Sequence, residues 1–278
     1  MKKILAVILA LIISLLFCAC GEEEKANFPV VYDGVKFDKA SSRVVSLSAN
    51  ATDLLKALGF ETLLVGASDW CDTAASVKRV GTADFPDSEA VIGLSPDLVI
   101  TNKELPAELS QSLSIRKVKV IRVEYREDVE SLCALYADLA AALGGDVVGR
   151  ANGERAAEKL KNAIKDAKLE KPVKVLFSAD GAGAVATGDT FTGKLLTELG
   201  MTNAAQSGKG WSYGADLVKA AAPEAIFCPV GTAQAVKELY PDTPAVKNGK
   251  VYEIDPKLTE RQGSSLINAV AALTEPLK

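Results

Sequence analysis

The 278-residue chain contains no histidine. That absence removes Ser-His and Cys-His catalytic pairs, zinc sites built on imidazole, and the usual proton shuttle of neutral pH. Cysteine is scarce. Of the five, Cys71, Cys133 and Cys228 lie beyond the N-terminal segment and show neither C-x-x-C nor metal-ligand spacing. Three thiols cannot close a complete internal disulfide framework, so at least one is expected to be a buried free thiol. Basic clusters are missing as well: 32 Lys and Arg stand against 36 Asp and Glu, a formal net charge of −4 that argues against a nucleic-acid surface. Nucleotide signatures are incomplete. "DGAGAVATG" (180–188) breaks the G-x-G-x-x-G register, Glu198 lies in the wrong element for a ribose contact, and Gly193-Lys194 has no P-loop spacing before it. No pair of Lys, Tyr or carboxylate residues shows an informative catalytic spacing. The chain therefore reads as non-enzymatic, with no cofactor and no metal site of its own.

What is there begins with a lysine pair. Lys2 and Lys3, the apolar run Ile4 to Phe17 and the small residues before a cleavage point have the layout of an export signal. The run is shorter than the about 20 apolar residues that a membrane crossing needs, so cleavage is expected. The stretch "FCAC" (17–20) resembles a bacterial lipobox, whose terminal Cys is acylated before the peptide is cut in front of it. By that resemblance Cys20 is the lipidated residue and 1–19 the lipoprotein signal peptide. Residues 20–42 become a tether leading into the first lobe, and the protein is held at the extracytoplasmic face of the cell membrane. Acyl chains contribute about 0.8 kcal/mol per buried CH₂, and two chains suffice for stable anchoring. Cleavage takes away two lysines and no acids and moves the net charge from −4 to −6.

From Arg43 onward, short β-branched runs alternate with helical stretches, the pattern of parallel strands with crossover helices. Strands are expected at 43–48, 62–68, 98–101 and 119–123, with helices at 51–58, from 88, at 106–113 and at 129–143. Residues 43–144 thus form one Rossmann-like α/β lobe. The stretch 145–171 is rich in Ala, Lys and Glu, with Ala156, Leu160, Ile164 and Ala167 at helical spacing, and reads as one long amphipathic linker helix. Pro172 stops it. Residues 172–278 repeat the pattern as a second α/β lobe with a parallel sheet.

A near-repeat supports that division. Glu89 is followed seven residues later by Pro96-Asp97 and an apolar run, and Asp216 seven later by Pro223-Glu224 and an apolar run. Acids favour helix N-termini by about 0.3–1 kcal/mol each, which explains the acids singly. The matched spacing in two lobes suits a partner that engages both at once.

Six stretches taken in order carry a resemblance: "RVVSLSANATDLLKALG", "LLVGASDWCD", "VKRVGTADFPDSEAVIGLSPDLVI", "VATGDTFTGKLLTELGMTNAA", "GWSYGADLVKAAAPEAIF" and "VKNGKVYEID". They are similar to the substrate-binding proteins of ABC importers for cobalamin (vitamin B12) and ferric siderophores, which have the class III periplasmic-binding-protein fold of two lobes joined by one long helix. The resemblance implies docking of Glu89 and Asp216 on the permease's transmembrane subunits, which work with a cytoplasmic ATPase. It also implies a ligand between the lobes, at the strand ends where open α/β sheets bind. The candidate lining residues are Asn50, Trp70, Phe85, Asn102, Tyr125, Arg126, Trp211, Tyr213 and Arg261. Aromatics supply large rigid contact area for a macrocycle or catechol, and Trp211 stands out because it follows a Gly-rich loop. The resemblance implies a corrinoid or a ferric siderophore as the expected ligand. Haem through a Tyr ligand, or a surface scaffold or adhesion role without a small ligand, are the alternatives.

Overall fold

In the computed structural model, which describes residues 27–278, the chain first makes a tight antiparallel hairpin. Strands β1 (Val30–Tyr32) and β2 (Val35–Phe37) are joined by Asp33-Gly34, both at positive φ (50° and 72°), the backbone that Asp-Gly hairpin turns require. Val30 and Phe37 are buried, so part of the segment expected to be a tether is folded onto the first lobe. Cys20 lies outside the described residues.

The first lobe follows as β3 (Val44–Ser46), helix α1 (Ala49–Ala57), β4 (Leu64–Ala67), β5 (Lys78–Arg79), α2 (Ser88–Gly93), β6 (Leu98–Thr101), α3 (Ala107–Ile115), β7 (Lys119–Arg122) and α4 (Val129–Gly144). Its sheet is wholly parallel in the order β5-β4-β3-β6-β7. Ser48, Asp87 and Asp128 cap α1, α2 and α4 through their side chains. After α5 (Arg150–Ala167) the second lobe runs through β8 (Lys174–Phe177), α6 (Phe191–Glu198), β9 (Thr202–Asn203), α7 (Ala215–Ala221), β10 (Ala225–Pro229), α8 (Ala233–Leu239), α9 (Pro244–Lys247), β11 (Val251–Ile254), α10 (Pro256–Thr259) and α11 (Ser264–Thr274). This sheet is also parallel, in the order β11-β10-β8-β9.

Both faces of each sheet are covered, as parallel sheets require. Strand residues alternate between two cores: Val44, Leu98 and Ile100 face one, Val45 and Val99 the other, and in the second lobe Val175 and Phe177 alternate with Leu176. One core is shared. It takes α1, α4, α5, α6 and α11 and runs through both lobes, whereas α2 with α3, and α7 with α8 and α9, close the outer faces separately. The three cysteines among the described residues, Cys71, Cys133 and Cys228, are free and buried.

The long helix differs from the continuous element expected over 145–171. The chain reverses at Gly144-Gly145 (φ −123° and +92°), passes through a π turn at Gly145–Gly149, and α5 then runs back along α4. Small residues recur every fourth position on the contact face. A Cβ on Gly149 would sit 2.2 Å from the Ala140 carbonyl oxygen, and one on Gly153 2.3 Å from that of Tyr136.

A second crossing joins the lobes. The segment after β11 returns to the first lobe, where α11 packs on α1 and α5. Helix α11 has no side-chain cap of its own. Asp53, buried on α1, supplies one: Oδ2 accepts from the amides of Gly263 and Ser265 at 3.0 Å each, and Oδ1 from the hydroxyls of Ser264 (2.6 Å) and Ser265 (3.0 Å). Backbone contact is close enough that a Cβ on Gly263 would lie 2.1 Å from the Asp53 carbonyl.

Two substitutions test these joints. Helix propensity alone predicts that Gly153→Ala gains about 1 kcal/mol. The close approach predicts instead a loss of about 1–3 kcal/mol by overpacking, and urea unfolding reads the sign. Asp53→Ala strips a cap and several charge-assisted bonds and is expected to cost about 2–4 kcal/mol. Hydrogen exchange at the amides of residues 263–265 should rise in step; unchanged protection there would show that α11 docks without Asp53.

Candidate functional site

Open parallel sheets bind ligands beyond their carboxyl ends, where the strand order reverses. In the first lobe that point lies between β3 and β6, and in the second between β8 and β10. The loops leaving these ends carry the exposed aromatics. Trp70 follows β4 and is 70% exposed, and Phe85, in the loop before α2, is 84% exposed. The Phe85 turn is held by its own amide on Thr82 Oγ1 (3.1 Å), and the Lys103–Asp84 ion pair ties it to the loop after β6, where Asn102 is exposed.

Trp211 is held more firmly. Asp189 accepts from the Gly210 amide (3.0 Å) and from Thr187 Oγ1 (2.5 Å), Thr187 Oγ1 accepts from the Trp211 amide (3.3 Å), and the Trp211 carbonyl accepts from the Val185 amide (3.0 Å). These bonds keep Trp211 at φ +65°, a conformation that costs a non-glycine residue about 1–2 kcal/mol. Its side chain remains 39% exposed. Tyr213 lies against the second lobe's outer core, its hydroxyl 3.5 Å from Ser207 Oγ.

Three other candidate lining residues meet the returning segment 257–265, and a fourth, Arg261, belongs to it. Asn50 Oδ1 accepts from the Gln262 amide (2.7 Å). Gln262, fully buried, accepts the Arg126 amide at 2.8 Å and donates to the Arg126 carbonyl at 2.7 Å, while Tyr136 donates its hydroxyl to the Gln262 carbonyl (2.6 Å). Tyr125 donates its hydroxyl to the Thr259 carbonyl (3.1 Å) and meets Phe191 of the other lobe edge-on, with centroids 5.9 Å apart. Arg261 Nη1 binds Asp72 Oδ2 at 2.6 Å, and Lys257 binds the other Asp72 oxygen at 3.1 Å. These cations hold the Asp72 carboxyl below the usual carboxylate range.

The Arg126 guanidinium faces Tyr32, in a groove of about 560 Å³ beside the β1–β2 hairpin that also includes Asp33, Arg122 and Asp138. Burial pushes the Tyr32 phenol up to about 12 despite that cation. A neighbouring groove of about 640 Å³ along β7 shares Asp33 and Arg122. Neither groove includes Trp70, Phe85 or Trp211.

The near-repeat has a physical basis. Asp97 accepts from the Ser42 amide (2.8 Å), the Ser42 hydroxyl (2.7 Å) and the Arg43 amide (3.2 Å) just before β3, and Glu224 accepts from the Lys174 amide (3.3 Å) at the start of β8. Each Pro-acid pair thus ties down the first strand of its own sheet. Glu89 and Asp216 lie in the first turns of α2 and α7, both exposed, and neither carboxylate joins an ion pair among the described residues.

Sequence reasoning missed Asp53, Asp72, Asp189 and Gln262. Asp53 carried a signal, an acid inside the apolar stripe of "ATDLLKAL", matched by "GSS" opening a helix with no acid of its own.

Residues 44–258 match the family described as periplasmic binding protein. Among curated proteins the chain is 29% identical over 315 aligned positions to the uncharacterized ABC transporter substrate-binding lipoprotein YvrC of Bacillus subtilis (strain 168), covering 100% of this chain and 98% of that one. It is 23% identical over 262 positions to the Fe(3+)-citrate-binding protein YfmC of the same organism, covering 84% and 81%. Among solved structures, a possible iron-binding (periplasmic solute-binding) protein from Staphylococcus epidermidis superimposes with a TM-score of 0.72 at 20% identity, over 86% of this chain and 99% of that one. Fold and sequence agree over the same residues, and the chain belongs to the periplasmic binding protein family, whose members are binding proteins and not enzymes.

Proposed function

We propose that this chain is the substrate-binding component of an ABC importer, lipid-anchored through Cys20 at the extracytoplasmic face of the membrane, and that it takes a corrinoid or a ferric siderophore between its lobes. One observation carries the reading. Trp211 is fixed at positive φ on a pinned turn with its indole partly exposed, while Trp70 and Phe85 stand exposed on loops of the first lobe. Aromatic rings held in place lose little freedom on binding and suit a large flat or macrocyclic ligand. Capture of a bare metal ion fits less well, because no group of three or more Cys, Asp and Glu side chains is gathered to hold one among the described residues. Metal would arrive already chelated.

The names of the relatives support the same class: YvrC for the importer and the lipoprotein, YfmC for a ferric complex. The haem alternative draws less support, since the Tyr125 hydroxyl is committed to the Thr259 carbonyl and burial pushes its pKa up, away from the phenolate that ligates iron.

Calorimetric titration with cyanocobalamin and with a panel of ferric siderophores is expected to show nanomolar to micromolar binding for one class. Trp211→Ala should weaken that binding about 30-fold, the size of a hot-spot loss near 2 kcal/mol; silence from both classes would overturn the reading. A second experiment concerns Glu89 and Asp216. Rim charges set orientation and encounter more than affinity, so replacing both by Ala should abolish stimulation of the permease's ATPase in reconstituted vesicles while leaving ligand affinity within about twofold. A matching loss of affinity would move these acids into the ligand site.

A further inference from the structure

Where the loop after β4 meets the segment after β11, a buried cation is paired with a carboxylate that stays within reach of solvent. Asp72 lies just past the carboxyl end of β4 and Lys257 just past that of β11. Each Asp72 oxygen is taken by a different cation, Oδ1 by Lys257 at 3.1 Å and Oδ2 by Arg261 at 2.6 Å. The Arg261 side chain is only 8% exposed, whereas those of Asp72 and Lys257 are 48% and 54% exposed. Arg261 also donates Nη2 to the carbonyl of Trp70 at 3.1 Å. A guanidinium has five N–H donors, and these two bonds leave the rest for a further acceptor. Two cations thus share this one carboxylate. Arg79 adds a third cation beneath the same loop, donating to the carbonyls of Ser68 (2.9 Å) and Cys71 (2.7 Å).

The residue after Asp72 supplies an independent observation. Thr73 Oγ1 is the buried side-chain polar atom that finds no hydrogen-bond partner among the described residues. Buried hydroxyls are rarely left unpaired, because the desolvation is not repaid. The hydroxyl of Thr73 is thus an unused polar group next to Asp72.

We propose that Asp72 is an internal counter-anion of the ligand site: it holds Arg261 and Lys257 in the unliganded protein, and an anionic group of the ligand takes its place. Asp72 then sets how strongly the site prefers anionic over uncharged ligands. The inference rests on the reading of the inter-lobe cleft as the ligand site, and it narrows the ligand to chelates that carry carboxylate or similar oxyanion groups. Trp70 is coupled to the exchange, because its carbonyl shares the guanidinium that the ligand would take.

Asp72→Asn keeps the shape of the side chain and removes its charge. Calorimetry would compare it with the unaltered protein using three probes: citrate alone, ferric citrate, and cyanocobalamin, which has no net charge. The Asn variant is expected to bind both anionic probes roughly tenfold more tightly, with cyanocobalamin unchanged, and adding Lys257→Gln should cancel the gain. Equal or weaker binding of the anions, or an equal gain for cyanocobalamin, would overturn the proposal. Citrate alone separates the two readings. Tighter citrate binding by the variant, with no binding of either metal complex, would keep the counter-anion exchange and remove the importer ligand; no citrate binding by either protein would remove the exchange itself.

Discussion

The carboxylate of Asp53 is the constraint on which the arrangement of the lobes depends. A buried carboxylate is costly unless its lone pairs are filled, and this one is filled only when Gly263, Ser264 and Ser265 reach it. The charge also sits at the N-terminus of α11, where the helix dipole favours an anion. Docking α11 on α1 brings Gln262 against Asn50 and Arg126 and places Arg261 beside Asp72. A residue on the first helix thereby decides where the last helix begins.

Two connections now cross between the lobes, the α4–α5 hairpin and the returning segment, and both pack into the one core that the lobes share. The close approach of Gly153 to the Tyr136 carbonyl and the Asp53 cap hold these two connections in place, the first through backbone contact and the second through a buried side chain. Trp211 is steadied in another way: the strain of its positive φ is held by Asp189 and Thr187 through the backbone amides of Gly210 and Trp211.

Much of the fold was legible because parallel strands buried on both faces read as short β-branched runs; β3, β6, β7, β8, β10 and β11 each fall on one. Strands β5 and β9, two residues each, are too short to show periodicity. The turn inside the expected linker helix was signalled by Gly144-Gly145, yet its neighbours keep helical spacing on both sides, which hides a reversal. At the site, exposed aromatics in loops could be found from sequence, since a loop after a strand places them. Asn50 and Arg126 could not be assigned, because their partner Gln262 is 212 and 136 residues away and no local pattern records such a pairing.

The acids divide by what surrounds them. Asp53 and Asp97 are each saturated by donors that the fold supplies, and their role is structural. Asp189 is saturated too, but what it steadies is the turn carrying Trp211. Glu89 and Asp216 belong to no such network, although both sit at helix starts where a cap would be easily formed; Asp87 caps α2 in place of Glu89, and α7 has no side-chain cap at all. Helix stability alone would have used Asp216 as that cap. At these places the two charges gain only the modest attraction of a helix N-terminus, about 0.3–1 kcal/mol each. Exposed charges act over about 10 Å at ordinary salt, and stripping their water is costly unless an opposite charge replaces it.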